Sequence, residues 1–273
     1  MKGAFLIYYS FNYSFILKDV ILILTQFSLV MSRIVPIIYL TPFLGAKIAL
    51  SVIKIGFAML ISLLLYPSLH PSMANIDYYS LTFIALLIKE IWIGFIIGFI
   101  AQLPFYAFEA LGYSIDTFRN AIVTGILDSY YQQETSLLGE FYFQLSIVIF
   151  FLINGHQYFL LALADSYTNI SINAFPAFGG INKIMLYKII KEVGRIIIIS
   201  LRLSAPVLLV MFLIDILSSL LNRISPYFNA FFYSLSIKAA VGLLICFLTY
   251  NFIIKKIAYE LMNSIELVFN IIQ

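Results

Sequence analysis

Apolar residues run through most of this chain in long blocks, and the blocks end at turn formers. Stretches without a charged side chain cover 20–32, 34–46, 55–76, 91–108, 141–164, 203–214 and 239–254. Merging those separated by a lone charge predicts six long helices, at roughly 16–40, 44–66, 80–108, 137–164, 184–221 and 230–256. Pro42 and Gly45 punctuate the first junction, Pro67 and Pro71 the second, Pro176 with Gly179 and Gly180 the fourth, and Pro226 the fifth. Thr41-Pro42-Phe43 and Ser225-Pro226-Tyr227 each join two apolar helices with almost no spacer, which predicts two antiparallel hairpins. From Lys255 to Gln273 the pattern changes. Ile257, Leu261, Ile265 and Val268 follow helical spacing with Glu260 and Asn263 off the stripe, which predicts an amphipathic helix lying on the membrane surface or on a partner. The chain thus reads as a helical domain over 1–256 followed by an amphipathic segment over 257–273.

Composition turns these helices into membrane spans. Hydrophobic residues fill 63% of the 273 positions, charged residues 11%, and mean hydropathy is +1.03, more apolar surface than a water-soluble domain can hide. A β-barrel would alternate polar and apolar positions in short segments, which this chain does not do. Helices must therefore satisfy the backbone, and the fold class is all-α, a multi-pass helical membrane protein. Lys18 and Asp19 interrupt the first apolar stretch and no small-residue cleavage pattern follows, so no cleaved signal is expected. Orientation is divided: the positive-inside rule places Arg33, Lys47 and Arg223 inside, and strict alternation then sends Lys255 and Lys256 outside.

Charge and motif content exclude several functions. A dispersed net charge of +3 does not fit nucleic-acid binding. His70 and His156 belong to no H-E-x-x-H pattern, no phosphate-binding glycine loop is present, and no serine has a nominated base. One histidine in Asn154-Gly155-His156 makes no metal site, and that string more naturally loosens or caps a helix. Cys246, the single cysteine, reads as packing. The expectation is a protein that is not an enzyme, without catalytic, cofactor-binding or metal-binding residues.

Arg33, Lys47, Lys54, Arg202, Asp215 and Lys238 fall within or at the shoulders of predicted helices. At a helix centre each costs roughly 2.5–3.5 kcal/mol on insertion scales. Pro36, Pro104 and Pro206 each remove a backbone donor and invite a kink. These charges fit three readings: pairing or snorkelling within the bundle, an ion-coupled solute transporter in which Asp215 carries the ion, or helices packed chiefly against other subunits. The third also accounts for the divided topology signal.

The strings "RIVPIIYLTPFLGAK", "KEIWIGFIIGF", "EALGYSIDTFRN", "QQETSLLGEF", "INGHQYFLLALADS" and "SAPVLLVMFLIDILSSLLNRISPYFNAFFYSLSIK" occur in an order that resembles the FliR/SctT family, over roughly Arg33 to Ile254. Gly112, Ile115, Asp116 and Arg119 are similar to the G-x-x-I-D-x-x-R pattern of its injectisome branch. Gln133, Thr135, Ser136, Leu138 and Gly139 are similar to the Q-x-T-S-x-L-G string that follows. Asn120 stands where the family usually has glycine, and Ser129 where proline is common. The resemblance implies a subunit of the type III export gate in the bacterial inner membrane. It implies as partners the R-type (FliP-like), S-type (FliQ-like) and U-type (FlhB-like) membrane proteins, inner-rod or needle components, exported unfolded proteins and membrane lipid.

The resemblance also implies that the segment after the third helix contributes to the plug of the channel, by position Ala110 to Ala121. Here the residues expected to act are Gly112, Ile115, Asp116, Phe118, Arg119 and Asn120. A plug is expected to be a loop in which Gly112 permits bending, Ile115 and Phe118 fill the lumen, and Asp116 and Arg119 pair across three positions. The simpler alternative is that Asp116 and Arg119 end a membrane helix at the headgroups. In the second hairpin Pro226 sharpens the turn, Asn229 caps the returning helix, and Lys238 either pairs with Asp215 or meets a neighbouring subunit.

Overall fold

The computed structural model describes residues 2–44, 50–69, 81–119, 136–173, 181–225 and 230–272. Seven α-helices are present among them: α1 (Lys2–Leu40), α2 (Ser51–Leu69), α3 (Leu81–Phe118), α4 (Leu137–Leu152), α5 (Gly155–Asn169), α6 (Ile181–Ile224) and α7 (Ala230–Ile272), with a 3-10 turn over Pro42–Leu44. Lys47, Asn120, Ser129, Pro226 and Asn229 lie outside the described residues. The helices pack as two compact units. One comprises Met1–Ala101, Leu160–Asn182 and Val268–Gln273, the other Gln102–Phe159 and Lys183–Leu267.

Five helical stretches are long and apolar enough to cross a bilayer: Val20–Leu40, Ser51–Leu69, Leu81–Phe118, Tyr187–Ile224 and Phe232–Asn270. The pair α4 and α5, bent by 75° at the break between them, makes a sixth if counted as one span. This is the architecture of a multi-pass helical membrane protein. The helices run uninterrupted through Pro36, Pro67, Pro104 and Pro206. Three hydroxyls within α1 are satisfied locally. Thr25, Ser28 and Ser32 donate to carbonyls three or four positions back at 2.7–2.9 Å, so these three need no distant acceptor.

Several boundaries differ from the sequence expectation: α1 starts at Lys2 instead of near 16, α2 at Ser51 instead of near 44, and three further differences bear on the site. The single helix expected over 137–164 is two, because Asn154 adopts φ 57, in the left-handed region, and ends α4. Gly155 starts α5 with no room for a side chain, since a Cβ there would stand 2.6 Å from the Phe150 ring. The third helix, expected to stop near 108, continues to Phe118. The last helix is continuous from Ala230 to Ile272 across Lys255 and Lys256, where no glycine or proline interrupts it. Its stripe of Ile257, Leu261, Ile265 and Val268 is buried within the chain itself, and Glu260, expected on the polar side, is buried as well.

In the first unit α1 packs on α2, and Tyr66 donates to the fully buried Gln26 at 2.8 Å. The close approach of α3 to α1 is set by two glycines one turn apart. A Cβ on Gly94 would stand 2.1 Å from the Arg33 carbonyl oxygen, and one on Gly98 3.1 Å from the Ile37 Cα. This small-x-x-x-small spacing lets backbones touch where hydrocarbon supplies no hydrophobic drive between helices.

Candidate functional site

The segment quoted as a candidate plug is helical through Phe118, and its residues divide cleanly between two faces. Leu111, Gly112, Ile115 and Asp116 are buried, whereas Tyr113, Thr117 and Phe118 are exposed. The expected loop is absent up to Phe118, since its acid is stabilised within the protein and the helix has no cause to end at the headgroups. Asp116 Oδ2 accepts from Ser136 Oγ and from the Leu138 amide, both at 2.8 Å. Ser136 is the N-cap of α4 and accepts in turn from the Gly139 amide at 2.9 Å. A carboxylate on α3 thus satisfies orphan donors at the start of α4 and faces the positive end of its dipole.

Gly112 serves this contact by lacking a side chain, not by bending. A Cβ there would stand 2.3 Å from the Leu138 carbonyl oxygen and 2.5 Å from the Gly139 nitrogen. Gly139 answers it, with the Glu109 carbonyl 3.1 Å from where its own Cβ would be. Arg119 Nη2 stands 3.6 Å from Asp116 Oδ1, so the pair expected at three-residue spacing is present. The stem of Arg119 fills the space beside Gly242 on α7, where a Cβ would meet the Arg119 Cδ at 2.5 Å. Arg119 Nε and Nη1 are buried without a hydrogen-bond partner among the described residues. Ile115 is fully buried in the unit's own core, so of the two apolar candidates Phe118 alone presents its ring outward.

Removing the Asp116 carboxylate should therefore loosen the start of α4. Asp116→Ala is expected to cost about 1–3 kcal/mol by leaving buried donors unmet. Asp116→Asn, which keeps one acceptor oxygen, should cost less than half as much. Thermal unfolding of the detergent-solubilised protein measures both.

In the first unit Arg33 is the largest fully buried side chain. Its Nε donates to Glu90 Oε2 at 2.5 Å, its Nη1 to the Ser166 carbonyl at 2.6 Å and Ser166 Oγ at 3.1 Å, and its Nη2 to the Ile170 carbonyl at 3.1 Å. The guanidinium lies 4.1 Å from the centre of the Tyr167 ring, whose hydroxyl donates to the Val30 carbonyl at 2.8 Å. Beside it Lys89 pairs with Glu90 at 2.8 Å and donates to the Ser171 and Ile172 carbonyls at 2.9 Å. Two cations on α1 and α3 thus hold the carbonyls at and just beyond the C-terminus of α5, where unsatisfied acceptors and the negative dipole end coincide.

The long helices α6 and α7 form an antiparallel pair in one register. Asp215 pairs with Lys238, Met211 touches the position of Gly242, and Arg195 pairs with Glu260. Arg195 also grips Glu192 one turn back, its Nε donating at 2.9 Å, and Lys256 reaches Glu260 at 2.7 Å. Lys238 is buried and Asp215 half-exposed, which is the intrachain pairing weighed from sequence. The first turn of α7 is capped from α6, the Ala230 amide donating to Asn222 Oδ1 at 3.2 Å. Sequence reasoning missed Lys89, Glu90, Ser166, Glu192, Arg195, Asn222 and Gly242. Of these, Glu192 and Arg195 had a visible signal in their three-residue spacing.

The strings picked out along the chain therefore meet in space. The Gly112–Arg119 string docks on the Ser136–Gly139 string, and the strings bearing Arg33, Lys89–Glu90 and Ser166 converge on one buried ionic cluster. The model of "Bacterial export proteins, family 1" matches residues 24–264. The chain belongs to the FliR/SctT family. It is 30% identical over 225 residues to Yop proteins translocation protein T of Yersinia pestis, covering 81% of this chain and 84% of that one. It is 28% identical over 236 residues to flagellar biosynthetic protein FliR of Bacillus subtilis, covering 84% and 89%. Surface presentation of antigens protein SpaR of Shigella flexneri is 29% identical over 220 residues, covering 79% and 81%. As a FliR/SctT protein with five to six candidate spans, the chain is a multi-pass inner-membrane protein of type III export.

Proposed function

We propose that this FliR/SctT protein is a structural, non-enzymatic subunit of a type III secretion export gate, and that the end of α3 forms part of the plug closing its channel to unfolded substrates. By the same reading it assembles with the R-type, S-type and U-type membrane proteins, and the residues at work are those of Gly112 to Asn120. The observation that carries the reading is the two-faced end of α3. One face is fastened to α4 through Gly112 and Asp116, and the other leaves Tyr113, Thr117 and Phe118 exposed among the described residues. A plug needs both features, an anchored base and bulk that projects into the opening. The G-x-x-I-D-x-x-R and Q-x-T-S-x-L-G strings favour an injectisome over a flagellum. Their docking supplies a reason for the two to occur together.

The test replaces the exposed bulk without touching the anchor. Tyr113→Ser with Phe118→Ser, in the complete assembly in intact cells, is expected to raise resting ion permeability while the complex still forms. Permeability equal to that of the unaltered assembly would count against a plug at this position.

A further inference from the structure

Arg202, deep within α6, differs from the paired arginines, as does Arg223 at the helix end. Arg33, Arg119 and Arg195 each face a carboxylate of this chain. Arg202 lies within the candidate span Tyr187–Ile224, is exposed, and has no ion pair among the described residues. No other charge occurs between Arg195 and Asp215. Seven residues from the first and thirteen from the second, it stands about 10 Å and 20 Å along the helix from those two paired levels.

Its surroundings are apolar and uncovered. Ile198, Leu201, Leu209, Phe212 and Leu213 are each more than half exposed and continue the same face of α6. Pro206, also exposed, supplies no amide hydrogen to the carbonyl of Arg202 one turn earlier. One spot on a lipid-depth face therefore displays a cation and an acceptor that hydrocarbon cannot satisfy.

We infer that the α6 face centred on Arg202 is a docking surface for a membrane helix of a partner subunit, and that this helix brings an aspartate or glutamate carboxylate to the guanidinium. The inference rests on the chain's being an assembled export subunit, and it names the chemistry of one partner. Complementarity selects the occupant: Arg33 and Arg195 each meet a carboxylate on a neighbouring helix, and here the chain provides the guanidinium and the apolar flanks without the acid. A second helix laid along the face would cover the flanks and supply it.

Arg202→Lys places an amine at the site, and dicyclohexylcarbodiimide joins an amine to an adjacent carboxylate as an amide. In native membranes carrying the complete assembly, the lysine variant should give a cross-link from position 202 to an Asp or Glu within an apolar helix of another polypeptide. The unaltered chain should give none there. Arg202→Leu should lower the amount of partner co-purified with the full chain by about thirty-fold or more. Partners retained equally by Arg202→Leu, with no cross-link at 202, would overturn the docking site and leave the export-gate reading intact. Loss of bound anionic phospholipid in Arg202→Leu, with partners unaffected, would overturn it in favour of a lipid headgroup. An unaltered chain that purifies without any membrane partner would overturn the assembly reading and this inference with it.

Discussion

Gly112→Ala is expected to be among the most damaging single-methyl changes in this protein. The added carbon would stand 2.3 Å from the Leu138 carbonyl oxygen and 2.4 Å from its carbon, both backbone atoms that no rotamer change can move aside. The start of α4 must shift, and the shift pulls Leu138 and Ser136 from Asp116, which accepts from both at 2.8 Å. Overpacking and the loss of the cap together should cost about 3–5 kcal/mol. Gly56 and Gly194 serve as controls, because nothing lies within 4 Å of a Cβ at either. Alanine there should be neutral or stabilising by up to about 1 kcal/mol, since glycine is a poor helix former. The yield and unfolding temperature of the full chain in detergent distinguish the three. A Gly112→Ala protein as stable as the unaltered one would refute the interlocked contact.

Arg33→Leu is expected to be equally severe for the opposite reason, removing a group instead of adding one. It leaves Glu90 fully buried beside Lys89 alone, removes the Arg33 donor from the Ile170 carbonyl, and leaves the Ser166 carbonyl with the Ile170 amide at 3.1 Å. Breaking a buried pair from one side costs about 3–5 kcal/mol, because the survivor keeps its desolvation penalty and loses its compensation. Arg33→Leu combined with Glu90→Leu should cost clearly less than the two single changes added together, although the Arg33 bonds to the two carbonyls are still lost. Simple additivity in unfolding measurements on the full chain would show that the two side chains act independently.

The spans were legible because hydrocarbon selects on composition, which is local. The ends of α6 and the start of α7 fell close to where apolar pattern and turn formers put them. What the sequence concealed was satisfaction at a distance. Arg33 is separated from Glu90 by 57 positions and from Ser166 by 133, so nothing near Arg33 announces that its charge is met within the chain. The same holds for α3, whose last turns are polar by composition and helical because Ser136 and Leu138 arrive from beyond the following segment. The break at Asn154 was hidden differently: hydropathy cannot register a φ of 57, and Asn-Gly was the sole local sign. Of the readings open to the misplaced charges, pairing within the bundle is the one met at three of them. Arg33 pairs with Glu90, and Lys238 with Asp215, all within this chain.

The cluster around Arg33 also imposes an order on biosynthesis. Arg33 leaves the ribosome 133 residues ahead of Ser166, an interval of roughly 7–30 s at ordinary elongation rates. Over the first 57 residues of that interval the guanidinium has no acid, and over all of it the carbonyl acceptors do not yet exist. The nascent first helix must be sheltered by the insertion machinery until the fifth has been translated. A ribosome stalled before Ile170 would release a product with its cation unmet, and membrane quality control should clear that product faster than one truncated just after Ile172.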